Sequence, residues 1–485
     1  MEAKRATMLP DLALPSSRHL LTTRCRTAPA DSAMTWSPGG RIAWLAGGST
    51  LGAVVAVAFT WAVDNWSYNL WGAMIVVPFV VFLNLVLLGR AAAIEPDLWI
   101  RTVFFWGFVL KLLGTLGRYY VAFVVYGGNA DAQRYNMVAA FESMWWRSGH
   151  FASFGSRSAS GTRAMEVITS AIYVVTGPSP LAAFFVFGSL AFWGAYLLYR
   201  AFLLAVPDGN HRRYALLIFA LPSMLYWPSG IGKESWLLLW LGVTACGAAR
   251  FFQRPGQGIP LLLLGAAGTM VVRPHIAFLL FGSMLVAQIL KPGRRDSDGA
   301  FGKVLGLIVL VPLVWLMLTR SATFLGLDDL TSQALSAEFR TRSELATQGG
   351  SEFDPTPVTS PLDLPWAIVS VVLRPFPWEA GNPQALIQAA EGVFLILLAV
   401  RSSAGIRRGF SMVRTNAYVA FTAAYTLGFV WAFSGIGNFG ILSRQRVLLL
   451  PIVMVWLSLP PKQGPTLPPS RVRDVTSARD FARRR

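Results

Sequence analysis

The strongest constraint on this chain is the succession of long apolar runs that fill most of its 485 residues. Hydrophobic residues make up 54% of the sequence and charged residues only 14%, a balance that excludes a soluble domain of this size. A helix of about 20 apolar residues matches the thickness of a bilayer. The sequence therefore predicts an all-α polytopic integral membrane protein, whose transmembrane helical domain covers residues 42–459.

About 12 of the apolar runs are predicted to cross the bilayer as transmembrane helices. They are expected near residues 42–63, 70–89, 100–126, 180–204, 214–229, 233–249, 258–272, 275–290, 303–319, 386–400, 415–433 and 441–459. Two shorter apolar pieces, 164–177 and 363–376, are expected to be interfacial or re-entrant helices on the outer face. Outer loops are predicted at 127–163 and 320–385.

Both ends of the chain are basic and polar. Residues 1–41 are expected to form a disordered basic cytoplasmic tail, and residues 460–485 a second basic cytoplasmic tail. The basic loops 211–213, 291–295 and 401–414 fall on the same side of the predicted helices as these tails. Since positively charged loops stay in the cytoplasm, the prediction is a multi-pass protein of the bacterial cytoplasmic (inner) membrane. The net charge of +18 is attributed to this rule, so no nucleic-acid partner is expected.

The stretch GGNADAQRYN, residues 127–136, gives the first candidate for chemistry. Its two glycines break the preceding helix, and Asn129 or Asp131 is suited to cap a new one. Asp131, Arg134 and Tyr135 are spaced to share one face of that helix. A carboxylate just outside a membrane helix can act as a catalytic base or hold a divalent cation; alternatively, Asp131 only caps the helix and pairs with Arg134. Asp131 is the catalytic candidate, and Tyr135 is predicted to bind substrate.

The segment PSMLYWPSGIGKES, residues 222–235, places charges at the start of an apolar run. Its prolines and glycines loosen the helix just before Lys233 and Glu234. A lysine at a helix N-terminus opposes the helix dipole, so Lys233 is expected to bind a ligand. Glu234 is interpreted as a second binding residue, or as the partner of another cation.

A very short loop, Arg273–Pro274–His275, separates two later apolar runs. Arginine is suited to a bidentate grip on phosphate, so Arg273 is predicted to bind substrate. His275 is suited to acid–base catalysis near neutral pH. The alternative is a turn whose arginine reaches the lipid headgroups.

Two stretches near the C-terminus add further charges. Residues 373–383 hold Arg374 and Glu379 among three prolines, and irregular backbone at membrane depth is expected to line a cavity. Glu379 is a catalytic candidate and Arg374 a binding candidate, unless the segment is only a Trp anchor at the membrane surface. Arg444 and Arg446 lie just inside the last run, where an arginine must face protein or an anionic ligand. Both are predicted to bind substrate.

These motifs together resemble those of GT-C type membrane glycosyltransferases and of bacterial polysaccharide (O-antigen-like) polymerases. The similar elements are DAxxY at 131–135, the PSxxxWxSGxxKE-like run of 222–234, RPH at 273–275 and RxR at 444–446. The resemblance implies a sugar donor linked to polyprenyl phosphate or diphosphate and a glycan or lipid acceptor, with membrane lipids as surroundings. It also implies that Asp131 is the base or a metal ligand, and that the cations hold the lipid phosphate.

The expected function is glycosyl transfer or repeat-unit polymerisation on the outer face of the membrane, in cell-envelope or exopolysaccharide synthesis. The alternative is a transporter or flippase for polysaccharide or lipid-linked sugar, in which the same charges line a substrate path. No cofactor is predicted with certainty, and a divalent cation is left open. The long polar segment 320–362 is interpreted as a mobile lid or as a surface loop.

Overall fold

The computed structural model describes residues 52–65, 67–128, 130–151, 160–291, 297–325 and 352–461. Helices dominate these residues, and the isolated bridge between Glu352 and Asn438 is the only strand-like pairing among them. The predicted all-α fold class is thus confirmed. The expected tail 1–41, most of the second tail and part of the long outer loop lie outside the described residues.

The helices of the described residues are numbered in chain order. They are α1 (Gly52–Asp64), α2 (Tyr68–Ala93), α3 (Leu98–Tyr120), α4 (Asp131–Arg147), α5 (Thr162–Thr176), α6 (Pro180–Ala205), α7 (His211–Ala220), α8 (Pro222–Tyr226), α9 (Lys233–Gln253), α10 (Pro255–Val272), α11 (Pro274–Leu290), α12 (Ser297–Leu325), α13 (Leu364–Leu373), α14 (Pro383–Arg401), α15 (Ser403–Met412), α16 (Ala417–Phe433), α17 (Phe439–Arg446) and α18 (Leu450–Leu457). A π-helical turn, Val121–Val125, extends α3, and a 3-10 turn precedes α13. Most of α1 belongs to a small unit ending at Trp61; all that follows concerns the unit that begins at Ala62.

Within the described ranges, seven helices are long and apolar enough to cross a membrane: α2, α3 with its π-helical turn, α6, α9, α10, most of α12, and α14. α17 and α18 meet at 61° and would make an eighth if they form one span. α1, α11, α16, and α13 with its preceding turn are apolar but shorter. The protein is therefore an all-helical membrane protein by length and composition. The count of about 12 spans and the re-entrant segments stay predictions.

The core of the larger unit is built on α6 and α9. In these two helices 67% and 72% of the most apolar stretch is buried, against at most 39% in the other long helices. Glycines allow the close approach, because Gly194 of α6 lies against the backbone at Leu238, and Gly242 of α9 lies against the Gly194 carbonyl. Small residues are the usual means of bringing membrane helices into contact.

The run predicted to span 214–229 is interrupted by a proline that ends α7 and starts the single turn of α8. Such a break frees backbone groups that a membrane interior cannot hydrate. Glu391 accepts a hydrogen bond from the Ser223 amide at 2.7 Å, and the buried Lys111 ammonium donates to the Met224 carbonyl at 2.9 Å. The interruption is therefore held by charged side chains from α14 and α3.

Because successive long helices alternate in direction, their connections gather at two ends of the domain. At one end the Asn210 amide donates to the Ser458 carbonyl (2.8 Å), and the Asn416 side chain donates to the Ala205 carbonyl (2.9 Å). This end carries the arginines of α7 and α15 and is called the basic end. The opposite end, called the site end, holds α4, α5 and the segments that follow α8, α10 and α16.

Helices α4 and α5 form a hairpin at the site end, within the region predicted as the first outer loop. Arg163 pairs with Glu142 and, at 3.2 Å, with Glu166; Arg134 pairs with Glu166 at 3.1 Å. Both glutamates are buried, so the hairpin is tied internally by charge. The alternative in which Asp131 pairs with Arg134 is wrong, because Arg134 pairs with Glu166 of α5 instead.

Candidate functional site

Four charged side chains from distant parts of the chain form one line of ion pairs at the site end. Arg444 of α17 lies 2.8 Å from Asp131 of α4 and 3.5 Å from Glu234 of α9. Glu234 in turn lies 3.3 Å from Arg273, which stands between α10 and α11. The four residues follow one another in the order Asp131, Arg444, Glu234 and Arg273, so negative and positive charges alternate. We call these four residues the charge row; together they carry no net charge.

The start of α4 explains why Asp131 can reach so far. Gly127 and Gly128 have φ of 55° and 83°, a left-handed conformation that ends α3 and that other residues avoid. The N-cap position is taken by Ala130, whose side chain makes no cap bond. Asp131 therefore occupies the first turn, where a carboxylate favours the helix dipole, and its oxygens accept from Arg444 rather than from the backbone.

Glu234 is the central member of the charge row. Its side chain is buried, as is that of Arg273, which also donates to the Gln445 side chain. A buried charge is tolerated only when it is paired, so each of these groups depends on the others. The neighbouring Lys233 donates from Nζ to the Thr162 hydroxyl at 3.0 Å, which ties α9 to the start of α5.

Tyr135 lies one turn after Asp131 on α4 and is buried. Burial, together with the negative charges of Asp131 and Glu234, raises the pKa of the Tyr135 phenol well above its ordinary value. The phenol therefore stays protonated at neutral pH. It can donate a hydrogen bond beside the charge row, but it cannot act as a base there.

A cavity of about 900 Å³ opens beside the charge row, near the upper end of the volumes that enclose small-molecule ligands. Residues of α3, α4, α6, α9, α14 and α17 and of the intervening segments form its walls. The polar and aromatic residues that line it are Arg118, Tyr126, Asp131, Phe184, Trp227, Glu234, Glu352, Glu379, Asn382, Gln384, Gln388, Asn438, Phe439 and Arg444. Asp131, Glu234, Glu379 and Arg444 were predicted as site residues, and the structure brings these four together.

One wall of the cavity combines a cation with aromatic rings. The Arg118 guanidinium donates to the Tyr226 hydroxyl at 3.2 Å and stands 4.9 Å from the centre of the Trp227 ring. This is cation–π geometry, and in the described part of the chain no carboxylate lies within ion-pair distance of Arg118. Sequence reasoning missed this residue, because an arginine near the end of an apolar run is equally suited to reaching the headgroups.

Another part of the cavity wall presents side-chain amides. Asn382 and Asn438 begin α14 and α17, and their oxygens accept from backbone amides at 2.9 and 3.1 Å. Gln384 and Gln388 are four residues apart on α14, so they share one face of that helix. Near them, Glu379 is held by Arg374 at 3.2 Å. Sequence reasoning missed the amides, because Asn and Gln near a helix start are commonly caps.

Two of the predicted site residues lie away from the cavity wall. His275 packs against the aromatic rings of Phe324 and Phe433, with ring centres 5.8 and 6.4 Å away. Arg446 is buried and donates to the carbonyls of Val372 (3.0 Å) and Arg374 (2.6 Å). The structure therefore does not bring the His275 imidazole or the Arg446 guanidinium to the charge row.

Four further candidates stand behind the wall rather than in it. These are Tyr135, Lys233, Arg273 and Arg374. Arg273 and Arg374 hold the lining carboxylates Glu234 and Glu379 in place. Their charges are thus used within the protein, which leaves Arg118 and Arg444 as the cations that line the cavity among the described residues.

The arrangement suits acid–base chemistry on a polar ligand. Asp131 is held by one guanidinium but its side chain remains 58% exposed, so it can accept a proton from a ligand in the cavity. Across the described ranges, no group of three or more His, Cys, Asp or Glu side chains is placed to hold a metal ion.

A comparison of the chain with protein-family models, with curated proteins and with solved structures finds no match.

Proposed function

We propose that the protein is a membrane glycosyltransferase or polysaccharide polymerase that uses a sugar linked to polyprenyl phosphate or diphosphate. The observation that carries this proposal is that a partly exposed carboxylate, Asp131, shares one cavity with a wall of amides and with two arginines. The reaction would take place on the outer face of the bacterial cytoplasmic membrane, in cell-envelope or exopolysaccharide synthesis.

The amide wall supports a saccharide ligand. Sugar hydroxyls both donate and accept hydrogen bonds, and side-chain amides can do the same within one group. Asn382, Gln384 and Gln388 present such groups along one side of α14. Trp227 and Phe439 add flat apolar surface against which the carbon face of a sugar ring can pack.

The aromatic wall supports an anionic, lipid-borne leaving group. Arg118 belongs to α3, whose outer surface exposes apolar side chains such as Leu113 and Leu116. A phosphate attached to a lipid could therefore reach Arg118 from the bilayer while its tail stays among apolar groups. Arginine is well suited to grip a phosphate through its fork of N–H groups.

The chemistry follows from these positions. Asp131 takes the proton of an acceptor hydroxyl, whose oxygen then forms a bond to the anomeric carbon of the donor sugar. The bond from that carbon to the phosphate oxygen breaks, and the electron pair leaves with the phosphate. Arg118 and Arg444 stabilise the negative charge that develops on the departing group.

The orientation of the protein supports an outer-face reaction. Positively charged loops stay in the cytoplasm, and the basic end carries the arginines of α7 and α15. The cavity belongs to the site end, so it would open toward the periplasm, with the chain termini in the cytoplasm.

The test compares the envelope and extracellular polysaccharide of cells that lack the gene with cells that express variants of the full chain. Asp131→Asn and Arg273→Ala should each abolish the polysaccharide. The first removes the base, and the second removes an ion-pair partner of the buried Glu234. Asp208→Asn, an exposed carboxylate beside α7, is the matched control and should leave the product unchanged. Full product from Asp131→Asn, with normal protein levels, would refute the assignment.

The same cells distinguish a transferase from a flippase. If the protein transfers sugar, the inactive variants accumulate lipid-linked sugar on the outer leaflet, where an impermeant oxidant followed by hydrazide labels it in intact spheroplasts. Accumulation that is labelled only after permeabilisation would instead indicate that the protein moves the substrate across the membrane.

A further inference from the structure

A buried group of polar atoms lies just beneath the cavity and is not used by the proposed chemistry. Nε and Nη2 of Arg446, Oε1 of Glu391 and Oγ of Ser223 have no hydrogen-bond partner among the described residues. The three residues are only 1%, 4% and 2% exposed. Buried polar groups in proteins are nearly always satisfied, so these atoms require a partner.

Two parallel helices place this group directly below the cavity floor. Gln388 of α14 lines the cavity and accepts a hydrogen bond from Ser443 of α17. Glu391 and Arg446 each follow three residues later on the same two helices, which both run from the site end toward the basic end. Residues three apart lie one above the other on a helix face, so Glu391 and Arg446 lie about one turn deeper, close enough for their charges to interact.

Glu391 and Arg446 each use some of their polar atoms in hydrogen bonds to the protein and leave other polar atoms without a partner among the described residues. Oε2 of Glu391 accepts from the Ser223 amide at 2.7 Å, which leaves Oε1 available. Nη1 of Arg446 donates to the carbonyls of Val372 and Arg374, which leaves Nε and Nη2. Those two N–H groups point the same way, as a fork that can donate to one small oxygen-containing molecule.

The chemistry of the guest follows from the two charges. The opposite charges of Glu391 and Arg446 cancel, so a neutral bound molecule is favoured over an ion. It must accept from Arg446 and donate to Glu391, and the space within a packed helical core admits only a small molecule. We propose that Glu391, Arg446 and Ser223 form a buried water-binding site that extends the hydrated cavity by one helical turn.

The proposal is independent of the ligand that the cavity itself takes. Water in this position lies one helical turn below Gln388, so the hydrated region of the cavity reaches the buried carboxylate of Glu391. It also explains why two opposite charges are kept in a core where replacing them with apolar residues is often harmless to stability.

The experiment measures whether a small hydrophilic ion reaches the site in the full-length protein. Ser223→Cys and, as a matched control, Ser283→Cys on α11 are made in a chain that also carries Cys25→Ser and Cys246→Ala. Ser283 is also buried, but its hydroxyl donates to the Leu279 carbonyl. Purified protein is exposed to Ag⁺, then unfolded and alkylated with a polyethylene-glycol maleimide, and the unblocked fraction is read as a gel shift.

Ag⁺ should block Cys at position 223 at least about tenfold faster than at position 283, because the reactive thiolate forms in contact with water. Equal, slow rates at the two positions would overturn the proposal. If Ser223→Cys does not fold, X-ray radiolytic oxidation of the wild-type chain replaces it: Met224, buried next to Ser223, should be oxidised at least about tenfold faster than the buried Met284 of α11, and equal rates would overturn the proposal. Adding Glu391→Leu with Arg446→Met should reduce the rate at position 223 to that at position 283, and an unchanged fast rate would equally overturn it.

Discussion

At the scale of single residues, the site end is organised by alternating charge. Glu234 separates the guanidiniums of Arg273 and Arg444, and Arg444 in turn reaches the exposed Asp131. The buried members make the arrangement rigid, while the exposed member meets the cavity. The stability of the fold therefore depends on the buried end of the charge row, at Glu234 and Arg273. The proposed chemistry depends on its exposed end, at Asp131.

Removing Glu234 should destabilise the protein more than any exposed substitution. Glu234→Ala leaves two guanidiniums near each other without their shared partner, and the loss of one partner of a buried ion pair costs about 3–5 kcal/mol in the free energy of unfolding. The measurement is thermal unfolding of the full chain in detergent. Asp208→Ala, at an exposed position, is the control, and equal melting temperatures for the two variants would contradict a structural role for Glu234.

Arg118 should contribute to the affinity for a phosphorylated lipid. Arg118→Gln removes the charge, and Arg118→Lys keeps it but loses the planar group that stacks on Trp227. Undecaprenyl phosphate in micelles should bind Arg118→Gln at least about tenfold more weakly, a change of about 1.4 kcal/mol, with Arg118→Lys in between. Arg101→Gln, near the other end of the same helix, should bind as the wild type does; equal weakening in both would contradict the assignment.

Four residues of the cavity wall could be predicted from the sequence because their charges are costly beside apolar runs. Asp131, Glu234, Glu379 and Arg444 were identified because carboxylates and arginines next to apolar runs need a reason to be there, and all four line the cavity. The amides carry no such cost, so nothing in the chain distinguished Gln388 from an ordinary helix residue.

His275 shows the limit of adjacency in sequence. It stands two residues from Arg273, but α11 begins between them at Pro274. Successive side chains on a helix point in different directions, so the imidazole turns toward the rings of Phe324 and Phe433 instead.

At the scale of elements, hydropathy located the helices better than it located their breaks. The run over 214–229 has a high average hydropathy, yet it is divided between α7 and α8. The last apolar run is bent by 61° between α17 and α18. A proline signals the first break. The partners that make the first break tolerable, Lys111 and Glu391, come from elsewhere in the chain and cannot be read from the local sequence.

The contact between α6 and α9 should be sensitive to a single methyl group. In Gly242→Ala the new Cβ would collide with the Gly194 carbonyl, and rigid backbone cannot move aside as a side chain can. The variant should unfold at a lower temperature and yield less protein in the membrane. Gly282→Ala on α11, where no atom lies within 4 Å of the new Cβ, is the control and should behave like the wild type; similar losses in both would show that the contact is not critical.

At the scale of the whole molecule, the domain has two chemically different ends. The site end gathers the cavity, the charge row and the α4–α5 hairpin, whereas the basic end gathers the arginines that flank α7 and α15. This division is what the distribution of charge in the sequence predicts. The convergence of Asp131 and Arg444 could not be derived from the sequence, because it depends on how the helices are arranged around α6 and α9.

The orientation of the two ends can be measured directly. Trp378 at the site end is 81% exposed and Phe410 at the basic end is 67% exposed, so either can be replaced by Cys in a chain that also carries Cys25→Ser and Cys246→Ala. An impermeant maleimide added to intact spheroplasts should label Trp378→Cys at once and Phe410→Cys only after permeabilisation. The reverse order would place the cavity in the cytoplasm and remove the proposed outer-face reaction.

The ion pair between Asp131 and Arg444 joins residues 313 positions apart. During synthesis the aspartate leaves the ribosome long before its arginine has been translated, and Glu234 enters the membrane with its partners still missing. The cavity wall is therefore complete only when the final helices are inserted. A chain that ends before α17 would lack both that part of the wall and the guanidinium that Asp131 and Glu234 share.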